Sequence, residues 1–201
     1  MVWHYVTDKQ NIYNMKDKFL NKYRISSHRL QGWDYANNGH YFITIVTAGR
    51  QMLFGDIRDG KMILNEMGEI VQDEFFKSFE IRKELYLGAF VLMPDHLHAI
   101  VILDRNDDCI SETCHPYKTL TLQRSPQSIS SFVACFKAST IRRIDDWIEK
   151  RSLSMRKFNR RNPLWQANYH DHIIRDEHEY RAIVDYIDEN PAKWDADNAR
   201  Q

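Results

Sequence analysis

Little in this sequence supports a covalent framework, a membrane anchor or a global electrostatic attraction. There are three cysteines in 201 residues, Cys109, Cys114 and Cys135. An odd, irregularly spaced set does not make a disulfide scaffold. Cys109, Cys114 and His115 match no zinc spacing and lack an evident fourth ligand, so reduced thiols are the simpler reading. No apolar run approaches the roughly 20 residues that a membrane-spanning helix needs. The opening Met1-Val2-Trp3-His4-Tyr5 has neither the basic nor the apolar region of a signal peptide. A cytoplasmic protein with no membrane partner is therefore expected. Lys and Arg number 28 and so do Asp and Glu, so net charge gives no argument for a nucleic-acid partner. Internal repeats and low-complexity linkers are absent too.

What is present suits one globular domain. Hydrophobic residues make up 43% and charged residues 28%, enough to build a core and a solvated surface. Charge is segregated along the chain. Nine basic residues lie between Lys137 and Arg161, among them Arg142, Arg143, Lys157, Arg160 and Arg161, against three acids. From Asp171 to Asp197 the balance reverses, with nine acids and three bases. Such segregation makes a phosphate-binding face on a neutral protein, or simply a solvated helix face.

Periodicity gives the elements. Residues 1–39 are polar, without a clear period, and read as a lead-in containing a short helix over 12–23. The domain proper is read over 40–195. His40 to Thr47 is a β-branched and aromatic strand. Residues 55–64 read as a turn and short hairpin arm. Met67, Ile70, Val71, Phe75 and Phe79 have helical spacing over 66–79. Leu85 to Met93 and His96 to Leu103 are strands that pair antiparallel around Pro94-Asp95. Residues 104–126 form a long polar loop. A helix over 128–151 carries Ile129, Phe132, Val133, Phe136, Ile141, Ile144 and Ile148 on one stripe. A short extended piece lies within 164–174. A last helix over 177–189 buries Tyr180, Ile183, Val184 and Ile187. The pattern predicts an α+β sandwich, helices on an antiparallel sheet.

Two constellations carry chemistry. His96 and His98 are two apart on a strand and so project to one face, side by side, as a metal would require. The alternative is two histidines with ordinary hydrogen bonds. Tyr186 and Asn190 are one helical turn apart, holding a phenol and an amide oxygen on one face. Pro191 discourages continuation of the helix, so Asn190 is expected near its end, as a metal ligand or as a cap. Trp3, Trp33 and Trp165 could stack on bases or pack in the core.

Together these pieces resemble one family. Pro94-Asp95-His96-Leu97-His98 resembles the histidine–hydrophobic–histidine (HUH) signature of single-tyrosine transposases. The stretch Trp165-Gln166-Ala167-Asn168-Tyr169-His170-Asp171-His172-Ile173-Ile174-Arg175 is similar to the segment before the catalytic helix in the REP-associated tyrosine transposase branch. Tyr186-Ile187 followed by Asn190-Pro191 resembles that helix. The resemblance spans about residues 24 to 194.

The resemblance implies a ferredoxin-like α+β sandwich. It implies His96, His98 and Asn190 as ligands of Mg2+ or Mn2+, with asparagine where insertion-sequence relatives carry glutamine, and Tyr186 as the nucleophile. The substrate implied is single-stranded DNA beside a hairpin, cut through a 5′-phosphotyrosine by a monomer or a homodimer. Arg142, Arg143, Lys157, Arg160, Arg161, His172 and Arg175 are then candidates for DNA contact. Two alternatives stay open. One is a hydrolase using water on a metal held by His96, His98, His170 and His172. The other is a non-catalytic hairpin-binding protein.

Overall fold

The computed structural model describes residues 34–105 and 127–198, and the backbone of two short strands, β1 (Lys18–Phe19) and β2 (Lys22–Tyr23), paired antiparallel. These strands stand where the sequence predicts the end of a helix over 12–23. Its apolar residues at helical spacing, Ile12, Met15, Phe19 and Tyr23, do not by themselves commit so short a segment to a helix. The rest of that segment, most of the expected loop over 104–126, Cys109, Cys114, His115, Trp3 and Trp33 lie outside the described residues.

The core is a four-stranded sheet. Its strands are β3 (Gly39–Val46), β6 (Leu85–Leu92), β7 (His96–Leu103) and β8 (His170–Ile174), with the hairpin β4 (Gly55–Arg58) and β5 (Lys61–Leu64) set apart. The strand order is β6-β7-β3-β8 and every neighbouring pair is antiparallel. Helix α1 (Glu66–Ile81) links β3 to β6, and α2 (Ile129–Lys150) links β7 to β8. Each crossover joins strands that run parallel with one strand between them. This is the βαββαβ ferredoxin-like arrangement that the family resemblance implies, with α3 (Glu177–Asn198) added at the end.

The period of two in the strands sorts the layers. Tyr41, Ile43 and Ile45 of β3, with Leu97, Ala99, Val101 and Leu103 of β7, face α1 and α2 in the main core. There Phe75 stacks on Phe90 at 4.7 Å and meets Phe136 edge-on at 5.2 Å. The other face, with Phe42, Ile100 and Ile174, is covered by Tyr180, Ile183, Val184 and Ile187 of α3. β7 is therefore buried on both sides, which explains its nearly unbroken apolar run. Gly88 is an extra residue in β6, between Leu87, opposite Val101, and Ala89, opposite Ile100. The bulge swaps the faces midway, a change that a strand apolar at both parities tolerates. Caps fix the helices. Asn65 accepts from Gly68 N at the start of α1, and Ser128 accepts from Ser131 N at the start of α2.

One expectation needs correction. Pro191 does not end the last helix, which runs on to Asn198. The missing N–H of Pro191 and the crowding of its ring disfavour this locally. Tertiary contacts outweigh the cost: the Trp194 ring lies 5.8 Å from that of His96, and Asp195 Oδ2 accepts from Gly60 N at 2.9 Å.

Candidate metal and nucleophile site

The pairing register assembles the site. Thr44 lies opposite His98, and Val46 opposite His96. Both histidines thus point to the α3 face, and both are buried, with 7% and 6% of their surface exposed. The Nε2 atoms face each other at 3.1 Å. His96 Nδ1 donates to Asp95 Oδ1 at 2.5 Å, and His98 Nδ1 contacts Thr44 Oγ1 at 2.8 Å. The Asp95 carboxylate makes His96 Nδ1 the donor, so His96 Nε2 presents a lone pair toward His98; when Thr44 Oγ1 accepts from His98 Nδ1, His98 Nε2 presents one toward the same point. Two such lone pairs at this distance repel unless a proton or a metal ion stands between them. Ligands about 2.1 Å from one ion and roughly at right angles would be separated by about 3 Å. The donor set therefore fits a divalent ion, with Asp95 and Thr44 as the groups that orient the imidazoles.

Electrostatics agree with neutral ligands. Burial, reinforced by the neighbouring His96, pushes His98 down from 6.5 to about 3. Asp95 is buried, which alone would raise its pKa, but its hydrogen bond to His96 and the cation of Arg50 outweigh this and hold the carboxyl below its ordinary value. Arg50 Nη1 donates to Asp95 Oδ2 at 3.2 Å.

Helix α3 delivers the remaining groups. Tyr186 Oη lies 3.2 Å from His98 Nε2. The Phe42 ring stacks on His98 at 5.3 Å and meets Tyr186 edge-on at 6.1 Å, so the phenol is held between an aromatic wall and the imidazole. Asn190 is buried one turn after Tyr186 and one turn before Trp194. Those two residues touch His98 and His96 respectively, so Asn190 shares the stripe of α3 that faces the histidines.

Of the other sequence candidates, one shares a row of the sheet with the histidine pair. His170 is opposite Thr44 on β8, in the same row of the sheet as His98, and His172 is opposite Phe42. His172 Nε2 is occupied by Glu179 Oε1 at 2.6 Å. Among the described residues no three His, Cys, Asp or Glu side chains converge as a metal site, so the four-histidine ligand set of the hydrolase alternative is not assembled. Arg142 and Arg143 stand on α2, across the sheet from the histidines. Arg143 pairs with Glu74 at 3.0 Å and with Asp73 at 3.6 Å, and Lys157 pairs with Glu149 at 2.9 Å. Arg160, Arg161 and Arg175 are exposed. Trp165 is a core residue, 5% exposed and packed between Phe54 and Phe136, which removes it from the base-stacking candidates. Sequence reasoning passed over Thr44, Arg50, Asp95 and Trp194. Only Asp95, next to His96 at the strand start, carried a local signal.

Comparison with known proteins places the fold. No family model matches the chain. It is 33% identical over 174 residues to a Haemophilus influenzae protein with no assigned function, covering 84% of this chain and 89% of that one. It is 25% identical over 163 residues to a second protein of that organism, provisionally named a REP-associated tyrosine transposase, covering 80% and 74%. Among solved structures, a REP-associated tyrosine transposase bound to a REP hairpin superposes with a TM-score of 0.50 at 21% identity, over 84% of this chain and 74% of that one. The fold is thus that of a tyrosine transposase. The chain belongs to the family of the 33% identical relative, and it is similar in sequence and in fold to proteins named REP-associated tyrosine transposases.

Proposed function

We propose that this protein is an HUH-type enzyme that nicks single-stranded DNA and transfers the strand, with Tyr186 as its nucleophile. The observation that carries the reading is the line of Tyr186 Oη, His98 Nε2 and His96 Nε2, spaced 3.2 and 3.1 Å apart. His96, His98 and the amide oxygen of Asn190 would hold Mg2+ or Mn2+; manganese accepts imidazole more readily. When bound, the ion would withdraw charge from a non-bridging phosphate oxygen and orient the group for in-line attack. Asp95 and Thr44 keep the two Nε2 lone pairs turned inward. Phe42 and His98 hold the phenol at the pocket.

Tyr186 Oη forms a bond to phosphorus, and the bond from phosphorus to the 3′ oxygen breaks. The phenol proton passes to solvent, and the departing oxygen takes one up. A 5′-phosphotyrosine and a free 3′-hydroxyl result, and the phosphoester is kept for rejoining. Arg142, Arg143, Lys157, Arg160, Arg161, His172 and Arg175 remain proposed DNA contacts.

The test is covalent capture. Labelled single-stranded DNA carrying a hairpin is incubated with the protein and Mn2+ and resolved on a denaturing gel. A protein–DNA adduct is expected, absent in Tyr186→Phe and in His96→Ala. Tight hairpin binding without adduct in the unmodified protein would favour the non-catalytic reading.

A further inference from the structure

Charge around the histidine–tyrosine pocket is mostly negative. Helix α3 exposes Asp185 and Glu189 next to Tyr186, and Asp188 on its far side. Lys193, on the same helix, is paired with Glu189 at 2.7 Å. The basic residues of α2 are across the sheet. Arg50 is the cation that hydrogen bonds tie to the histidine pair, through Asp95. The chain leaves β3 through a turn in which Gly49 and Arg50 both have left-handed backbone, with φ of 64° and 54°. This sets the guanidinium over Asp95. The acid is fixed: its side chain is 3% exposed, and its other oxygen is held by His96 Nδ1. The Arg50 side chain is 66% exposed.

A guanidinium carries five N–H donors in a planar fork. One terminal nitrogen of Arg50 is spent on Asp95, and the outward edge has no other protein partner among the described residues. The side chain is thus anchored at one corner, with much of its rotational freedom already lost. Its remaining donors are open to solvent, in the fork geometry that matches phosphate oxygens. We propose that Arg50 binds a backbone phosphate of single-stranded DNA, adjoining the phosphate that Tyr186 attacks. This rests on the DNA-nicking reading above. Through Asp95, the same cation is tied to the first metal-site histidine, so DNA docking and the metal site share one hydrogen-bonded chain.

The experiment measures binding of a fluorescent single-stranded oligonucleotide carrying an imperfect palindrome. It uses the full chain with Tyr186→Phe to prevent cleavage, and EDTA to remove metal. Affinity is followed against monovalent salt. Arg50→Gln should lower the magnitude of the slope of log K against log salt by about 0.7, the share of one single-strand phosphate contact, and weaken binding roughly five-fold near 0.1 M salt. Arg50→Lys, which keeps the charge, should retain most of the slope. An unchanged slope in Arg50→Gln, with a folded circular dichroism spectrum, would overturn the inference and leave Arg50 as a partner of Asp95 alone. Failure of the parent Tyr186→Phe protein to bind any such oligonucleotide would instead remove the DNA reading, and this inference with it.

Discussion

At the residue scale, the site consists of two imidazoles whose usefulness depends on their outer neighbours. A histidine ring can present either nitrogen, and only the bond on the far side decides which. Thr44 makes that bond for His98 at 2.8 Å. Thr44→Val keeps the shape of the side chain and removes the hydroxyl. Mn2+ affinity, read by calorimetry, is expected to fall about tenfold or more, in the range seen when outer-shell partners of metal ligands are removed. Unchanged affinity would mean that packing against Phe42 alone orients the ring. The burial of His98 also sets a pH dependence. The unfolded chain protonates this histidine near 6.5, whereas the folded protein keeps it neutral down to about 3. Between those values the unfolded state binds the extra proton, so this contribution is full above about pH 6.5 and is lost as pH falls toward 3. Urea midpoints of the metal-free protein should decline through that window, and His98→Gln should flatten the decline.

At the scale of elements, β7 and α3 bring the chemistry together, and close backbone approaches set the surrounding frame. Gly68 in the first turn of α1 shows how tightly that frame is drawn. A Cβ built there would stand 2.1 Å from the carbonyl oxygen of Phe54, a backbone atom. Alanine is ordinarily the better helix former by about 1 kcal/mol. Here the sign reverses: Gly68→Ala is expected to destabilise by about 1–3 kcal/mol, because helix and backbone must separate. Chemical denaturation checks this, and a stabilised variant would show that α1 can slide. The course of α3 past Pro191 is the matching lesson. Proline taken alone argues for a stop. The contact of Trp194 with His96 and the bond of Asp195 to the β4–β5 turn decide otherwise, and neither is visible in local sequence.

At the scale of the whole molecule, the sheet separates two tasks. One face, under α1 and α2, is the hydrophobic core. The other, under α3, holds the histidines, the tyrosine and Asn190. Much of this was legible beforehand, because strand and helix periods are local properties. His40–Thr47, Leu85–Met93 and His96–Leu103 each announce a strand, and His96 and His98 necessarily share a face. Tyr186 and Asn190 share a helical face for the same reason. What was hidden depends on register and layer. Thr44 becomes a partner of His98 only through the pairing of β3 with β7. Trp165 is committed to the core by Phe54 and Phe136. The run of basic residues on α2, which reads as a nucleic-acid face in one dimension, falls across the sheet from the histidines and Tyr186, with Arg143 held by Glu74.

The central claim is that Tyr186 itself takes up the DNA phosphate. Mass spectrometry of peptides from a trapped protein–DNA adduct tests it most directly. The account predicts a nucleotide 5′-phosphate on the peptide containing Tyr186, formed only with divalent metal. The same mass on a peptide containing Tyr169 or Tyr180, or DNA cut to free ends by Tyr186→Phe at the unmodified rate, would contradict it.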